Sequence, residues 1–324
     1  MRQEHFEAQY GPEWEAFEAW IVRREGGSRN AAARFPDGEM PLRYRRLCQH
    51  LALARDRAYG SDLTDRLNRL ALRGHHALYG PRGGRRARFA QFIARDLPRL
   101  VRAEARFVWV AAALFFGPFF LLLAGVQLLP DVAYYVLPPE QLASFEEMYR
   151  PGARHLGRRE ADTEFGMFGF YIWNNTRIGF QVFATGLLFG LGTVFFLVSN
   201  GVVIGTTAGH LTFIGYGTTF WSFVSGHSAF ELPAIVLSGA AGLKLGFALI
   251  APGGLSRPAA VAAAARSAVR IVYAAAALFF SAAFVEAFWS PITAVPGPVK
   301  YAIGIALWVL LVGYFVFTGR DRGP

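Results

Sequence analysis

Residues 107–129 form an apolar tract of more than twenty positions without a charged side chain, and further long hydrophobic tracts follow it. A bilayer hydrocarbon core of roughly 30 Å is crossed by about 20 apolar residues in a helix. Such a tract is long enough to span and too long for an ordinary core helix. The sequence therefore predicts an all-α protein embedded in a membrane, in agreement with a hydrophobic content of 53%.

The number of spans follows from the spacing of charged residues. Between 178 and 230 the only Asp, Glu, Lys, Arg or His residues are His210 and His227, so this stretch predicts two crossings with a turn at Asn200-Gly201. Three further spans are predicted at 232–250, 271–289 and 299–317. Together with the first tract and the two crossings within 178–230, they make six spans.

Arginine distribution predicts the orientation, because cytoplasmic segments near span ends are rich in Lys and Arg. Residues 1–106 contain 21 arginines and 13 acidic residues, whereas 131–177 contains five arginines and seven acidic residues. Both termini are therefore expected inside, with an uncleaved first span as the anchor. The predicted segments are a cytoplasmic helical head (1–81), a basic amphipathic helix (82–106), the first span (107–130), a periplasmic segment (131–177), five further spans (178–317) and a cytoplasmic tail (318–324).

Helical spacing of apolar residues predicts a small bundle in the head. Trp14, Phe17 and Trp20 fall on one stripe of a first helix that is predicted to open at Pro12. Two further stripes predict a second helix around residues 44–51 and a third that begins near Ser61. Cys48 is the only cysteine, so an intrachain disulfide and a thiolate metal site are excluded.

A group of arginines lies before the first span, and the residues that follow this group place apolar side chains on one helical face. We expect this segment to bind the anionic inner leaflet of the bilayer. A surface for a protein partner is the main alternative, and nucleic acid binding is not expected, because no nucleic-acid reading motif accompanies the charge. The residues expected at the membrane surface are Arg82, Arg85, Arg86 and Arg88.

Glycines four residues apart predict faces where membrane helices approach closely. Packing within the chain is the simplest use of these faces, and a homodimer face or a translocation path is the alternative. The residues predicted to serve helix packing are Gly186, Gly190, Asn200, Gly201, Gly205, Gly209, Gly242 and Gly246.

Four ordered motifs carry a resemblance to a known family. They are Asn-Asn-Thr-Arg at 174–177, Gly-Thr-Val-Phe-Phe-Leu-Val-Ser-Asn-Gly at 192–201, His-Ser-Ala-Phe-Glu-Leu-Pro-Ala at 227–234 and Val-Glu-Ala-Phe at 285–288. Together they resemble the stage II sporulation protein M family from about residue 97 onward. The resemblance implies a membrane scaffold at the cell envelope, since that family's namesake recruits peptidoglycan-degrading partners in spore formers and relatives occur in bacteria that make no spores.

Polar residues at one level of the predicted spans form a second candidate site. An ionisable side chain within a span costs about 2.5–3.5 kcal/mol on insertion scales, so Glu231 and Glu286 are expected to face the interior and find partners. Arg177 is the expected counter-charge. The complete predicted polar cluster, beneath the outer surface, is Asn174, Asn175, Arg177, His227, Glu231 and Glu286.

Three uses of this polar cluster remain open at the level of sequence. It could lock the packing of three spans, bind a proton, ion or small polar solute, or hold a metal. His227 and Glu231 are four residues apart and could face one ion, but a catalytic zinc normally has three protein ligands and an HExxH motif is absent. No metal and no cofactor are therefore predicted.

The sequence as a whole predicts a non-catalytic, multi-pass protein of the bacterial inner membrane. No Walker loop, Rossmann fingerprint or nucleophile elbow is present. The expected partners are the lipid bilayer, unidentified envelope proteins and a second copy of the chain. A transporter or channel subunit is the alternative, because flexible glycine-rich spans are common in such proteins.

Overall fold

The computed structural model describes residues 2–24, 35–79, 89–153, 156–157 and 163–320. The chain divides into two compact units, one within residues 1–87 and the other within 88–324. The described part of each unit is helical and contains no strand, which confirms the predicted all-α fold. The four arginines predicted to bind the membrane surface, at positions 82, 85, 86 and 88, lie outside the described residues.

Three helices form the described part of the first unit: α1 (Gln3–Arg24), α2 (Met40–Asp56) and α3 (Ser61–Tyr79). Their apolar faces enclose a core that includes Trp14, Trp20 and Leu67. The predicted opening of α1 at Pro12 is wrong, since the helix begins nine residues earlier and contains this proline. The physical reason is burial, because Phe6 stacks edge-on or tilted against three other aromatic rings of the same core, those of Tyr10, Trp14 and Tyr59.

The second unit contains the membrane-spanning part of the chain. A single turn of π-helix (Phe92–Asp96) precedes its first helix. Its helices are α4 (Leu97–Ala103), α5 (Ala105–Leu128), α6 (Val132–Val136), α7 (Pro139–Tyr149), α8 (Glu164–Ala184), α9 (Leu191–Phe213), α10 (Gly217–Ile250), α11 (Arg257–Phe288) and α12 (Gly297–Phe317).

Five helices of the described chain, namely α5, α9, α10, α11 and α12, are long and apolar enough to cross a bilayer. Two of these helices are much longer than the spans predicted from the sequence. Helix α10 has 34 residues and α11 has 32, so at about 1.5 Å per residue both are longer than the roughly 30 Å hydrocarbon core. The excess lies at the N-terminal end of each, before 232 in α10 and before 271 in α11.

Helix α10 is the centre of the second unit, because it packs against α5, α8, α9, α11 and α12. Small residues allow this, since the five consecutive residues Ser238-Gly-Ala-Ala-Gly242 in its C-terminal half are all buried, so the helix is enclosed on every side there. Helix α12 lies at the edge and packs mainly against α10, with a smaller contact to α4. This arrangement leaves a lateral space between α12 and the pair α5–α9.

The predicted turn at Asn200-Gly201 is wrong, since both residues lie in the middle of α9. Asn200 Nδ2 donates to the carbonyl of Phe196 one turn earlier, so its side chain supports the helix instead of ending it. The chain instead reverses at residues 185–190, through a 3₁₀ turn (Thr185–Leu187) that is followed by Phe189 with φ of +54° and Gly190 with φ of +81°. That backbone conformation is open to glycine at no steric cost, which makes Gly190 the residue that permits the reversal.

The predicted packing glycines lie where backbones meet. A Cβ atom on Gly201 or Gly205 would overlap the carbonyl oxygen of Phe115 or Phe119 in α5, and one on Gly209 would lie 3.0 Å from Val126 Cβ. On the other side of the unit, Gly186 meets the Gly242 backbone and Gly190 meets the Gly246 backbone. Close approach of this kind increases dispersion contacts between helices in lipid, where no hydrophobic force separates helix from lipid tail.

The predicted outer segment at 131–177 is shorter than expected. Helix α7 begins at Pro139 with Leu142 buried beneath it. Residues 164–177, however, belong to the long helix α8 and not to a loop. The buried stripe Met167, Tyr171, Asn175 and Gly179 explains this, because residues three to four apart share one helical face.

Candidate functional site

Three helices bring buried polar side chains together in the second unit. Helix α8 contributes Asn175, α10 contributes His227 and Glu231, and α11 contributes Glu286. One ligand atom from each of His227, Glu231 and Glu286 can be chosen so that all three lie within 4.8 Å of one another. His227 is 4% exposed and both carboxylates are partly buried. These four residues are the members of the predicted polar cluster that the structure brings together, and from here on the name polar cluster refers to these four alone.

Helical periodicity accounts for half of this geometry. His227 and Glu231 are four residues apart, so they project from the same face of α10, with His227 Nε2 placed 3.8 Å from Glu231 Oε2. That separation is too long for a hydrogen bond. Glu286 reaches the same point from α11 because α10 and α11 pack along most of their length.

The other ring nitrogen of His227 has a hydrogen-bond partner that the sequence did not indicate. His227 Nδ1 lies 3.0 Å from Ser290 Oγ, in the turn that follows α11. Ser290 is itself fully buried, and its carbonyl accepts a 2.7 Å hydrogen bond from Lys300 Nζ at the start of α12. Ser290 and Lys300 therefore join two helix ends beneath His227 and fix the direction in which the imidazole points.

Asparagines support Glu286 from the side of α8. Asn175 Nδ2 donates to Glu286 Oε2 at 3.5 Å, and Asn174 Nδ2 donates to Asn175 Oδ1 at 3.1 Å. Both predicted asparagines thus contribute, Asn175 by direct contact and Asn174 through its neighbour. Neither makes a hydrogen bond to Glu231 within the described chain.

The predicted ion pair of Arg177 with Glu231 or Glu286 is wrong. Arg177 is exposed, and its guanidinium lies over the ring of Trp173, 4.8 Å from the centroid. The reason is helical rotation: two residues turn about 200°, so Arg177 faces away from the side of α8 on which Asn175 is buried. Across the described residues, no arginine or lysine forms an ion pair with either carboxylate.

A cavity of about 700 Å³ adjoins the polar cluster. His227, Glu231 and Glu286 line its polar side, together with the hydroxyl groups of Ser225 and Ser228. Aromatic and aliphatic side chains from α5, α7, α9 and α12 form its walls. Examples of these are Phe116, Phe120, Phe145, Val203 and Trp308.

Two other buried polar pairs lie outside the polar cluster. His210 Nε2 lies 2.7 Å from Glu146 Oε1, which ties the end of α9 to α7. Lys244 forms an ion pair with Glu104 at the start of α5. Both pairs join neighbouring elements and neither lines the cavity.

The comparison with known families decides the identity of the second unit. The model of the family described as Stage II sporulation protein M matches residues 105–291, more than half of the chain. The chain belongs to the stage II sporulation protein M family. The match includes the polar cluster and Ser290, whereas Lys300 lies beyond it.

The first unit has a separate match, to a Domain of unknown function (DUF8413), over residues 4–80. The boundary between the two matches agrees with the division into compact units. No curated protein and no solved structure matches the chain. The stage II sporulation protein M assignment therefore depends on the family match to the membrane-spanning unit.

Proposed function

We propose that this protein is a non-catalytic scaffold of the bacterial inner membrane that anchors or assembles cell-envelope partners. The observation that carries the proposal is the division of the chain into two compact units, of which, among the residues that the structure describes, only the second contains helices able to cross a bilayer. The first unit has its own buried aromatic core, so it can present a folded surface to partners. Membership of the stage II sporulation protein M family supports the link with the envelope.

We also propose that α8 crosses the membrane in addition to the five apolar helices, which gives six spans with both termini in the cytoplasm. Helix α8 has 21 residues, or about 32 Å, and packs against α10 and α11. The asparagines and Arg177 lower its hydropathy, which explains why it is not among the five apolar helices. A periplasmic position for α6 and α7 completes this proposed topology.

The proposed orientation is supported by contacts at one end of the second unit. The start of α5, the end of α10, the first half of α11 and the end of α12 contribute to it. Arg106 lies over Phe247, Arg270 lies over Phe92, and Arg99 donates to the carbonyl of Gly319. Basic side chains gathered at one end are typical of the cytoplasmic side.

A transporter or channel subunit is the less favoured function. Toward the end of the unit where the chain reverses at 185–190, the backbones at Gly186 and Gly242 are in direct contact, as are those at Gly190 and Gly246. A separate cavity of about 410 Å³ lies at that end, and none of its lining residues lines the cavity beside the polar cluster, so the two do not form one passage. Replacing Glu231 by Gln should therefore change assembly or stability and leave solute flux in reconstituted vesicles unchanged.

Crosslinking in cells tests the scaffold. A photoreactive amino acid at Tyr135, which is 88% exposed in α6, and another at Leu72, 56% exposed in α3, should each capture envelope proteins. The matched control is Val309, 65% exposed on α12, which should capture lipid and no such protein. Products that contain only second copies of this chain would indicate a homodimer and contradict the assembly of other partners.

A further inference from the structure

The third ligand missing from the sequence motif is supplied by the packing of α10 against α11. His227 and Glu231 provide one nitrogen and one carboxylate from α10, and Glu286 adds a second carboxylate within the same 4.8 Å. Three protein ligands with space for a further one is the arrangement typical of zinc sites that keep an open position. That space is present, because the 700 Å³ cavity is lined by the same three residues.

The ligand atoms are held by neighbours in the manner of a metal site. Metal-binding histidines usually engage their second ring nitrogen in a hydrogen bond, and His227 Nδ1 is engaged by Ser290 Oγ at 3.0 Å. The other ring nitrogen, Nε2, faces the carboxylates and makes no hydrogen bond within the described chain, and the His227 side chain is more than nine-tenths buried. Asn175 holds Glu286 in turn.

The two neighbouring carboxyl groups of the polar cluster can both be ionised only beside a cation. Two carboxylates lie close together, and the described residues include no lysine or arginine that pairs with either. Buried charges in proteins are paired or coordinate metals, because leaving them alone in a low-dielectric interior is costly. With Arg177 turned away over Trp173, a bound dication is the counter-charge that the geometry accommodates.

We propose that His227 Nε2 and one carboxylate oxygen each from Glu231 and Glu286 bind a divalent transition-metal ion, with Zn²⁺ as the best fit. Tetrahedral Zn²⁺ with bonds of about 2.0–2.1 Å places its ligand atoms about 3.4 Å apart. The 3.8 Å between His227 and Glu231 is already close to this, so small side-chain rotations complete the site. Imidazole with carboxylates suits Zn²⁺, whereas Mg²⁺ and Ca²⁺ prefer oxygen alone. A water oxygen from the cavity fills the remaining position.

Metal binding to the purified full-length protein tests the proposal. After chelator treatment and desalting in detergent, the protein is titrated with Zn²⁺ and the bound metal is counted by mass spectrometry. We expect about one Zn²⁺ per chain that resists millimolar Mg²⁺, and an upward shift of the unfolding temperature, because a ligand that binds only the folded state stabilises it. X-ray absorption should show one histidine and oxygen ligands.

Variants locate the metal. Glu231→Gln and Glu286→Gln should lose at least 100-fold in affinity, and Ser290→Ala, which keeps all three ligands, should lose about 10- to 100-fold. The matched control is His210→Asn, which removes another buried histidine paired with a carboxylate and should bind Zn²⁺ as the wild type does.

Three results would overturn the site. One is a wild-type protein that binds no Zn²⁺ after desalting, another is an absorption spectrum without histidine, and the third is an unchanged affinity in the folded Ser290→Ala and Glu286→Gln variants. Ser290→Ala keeps the test decisive if the glutamate variants do not fold. Failure of the scaffold proposal would leave this site untouched, since the two experiments have separate readouts.

Discussion

The imidazole of His50 is buried in the first unit, where Nδ1 accepts a 3.1 Å hydrogen bond from Trp14 Nε1. Burial lowers the pKa of His50, with the nearby Arg46 acting in the same direction and Glu13 against it. The unfolded chain therefore takes up this proton more readily than the folded one. Stability is complete above the unfolded pKa of about 6.5 and falls as the pH drops below it.

We predict that acidification from pH 7 to pH 5 loosens the first unit in the wild type and much less in a His50→Gln variant. Glutamine has no titrating proton, so the pH dependence from this site disappears. Hydrogen exchange of the amides at 47–54, compared between variants at each pH, measures the effect. His76→Gln, at an exposed position of α3, is the control and should behave as the wild type. Equal pH dependence in all three proteins would contradict the role of His50.

At the same scale, the sequence identified most members of the polar cluster. Ionisable residues stand out in an apolar tract because each costs free energy to insert, so His227, Glu231 and Glu286 could be predicted. The hydrogen-bond partner and counter-charge of these residues could not be predicted in the same way. Arg177 is close to Asn175 in sequence but faces the opposite way on α8, and Ser290 reaches His227 only through the packing of two helices.

Among the elements, the contact between α5 and α9 depends on glycine. A Cβ atom on Gly201 would overlap the Phe115 carbonyl oxygen, which belongs to the backbone and cannot rotate away. We predict that Gly201→Ala lowers the free energy of unfolding by about 1–3 kcal/mol, the usual cost of overpacking. Unfolding in mixed micelles of mild detergent and dodecyl sulfate measures this.

Gly117→Ala in α5 is the matched control, because nothing lies within 4 Å of the added methyl group. Alanine is favoured over glycine in a helix by up to about 1 kcal/mol, so this variant should be neutral or slightly more stable. Equal loss in both variants would mean that the α5–α9 contact does not require glycine.

Helix boundaries were predicted less well than helix positions. An Asn-Gly pair is a strong turn pattern, yet Asn200-Gly201 lies inside α9, since Gly201 serves close approach to α5 and Asn200 hydrogen-bonds within α9. The reversal occurs at 185–190, where the apolar sequence gives little warning. Residues 217–230 of α10 were assigned to the preceding span, because the turn was predicted at Asn200-Gly201 and the structure places it between α9 and α10. The first fourteen residues of α11 contain three arginines, so hydropathy did not include them in a span.

For the whole molecule, labelling of single cysteines tests the topology. In a Cys48→Ala background, a membrane-impermeant maleimide should label Thr293→Cys and Glu164→Cys in intact spheroplasts. Ser256→Cys and Leu188→Cys should react only after permeabilisation. Thr293, Glu164, Ser256 and Leu188 are all exposed. The result is expected because α8 and α11 cross in opposite directions in a six-span arrangement with both termini inside.

The four positions separate the possible errors. Reversal of all four would mean that the termini are outside, in conflict with the arginine-rich end of the unit. Labelling of Glu164→Cys and Leu188→Cys from the same side would mean that α8 does not cross, which leaves five spans.

The sequence by itself determined that this chain is helical, enters a membrane and belongs with the stage II sporulation protein M family. These properties depend on local composition and on the order of short motifs, which a linear chain displays directly. Only the tertiary structure decided which polar groups meet. Glu286 joins His227 and Glu231 because α10 and α11 pack side by side, and Arg177 is excluded by the rotation of α8. Contacts between distant segments depend on how the helices pack, and packing is a property of the whole assembly of helices.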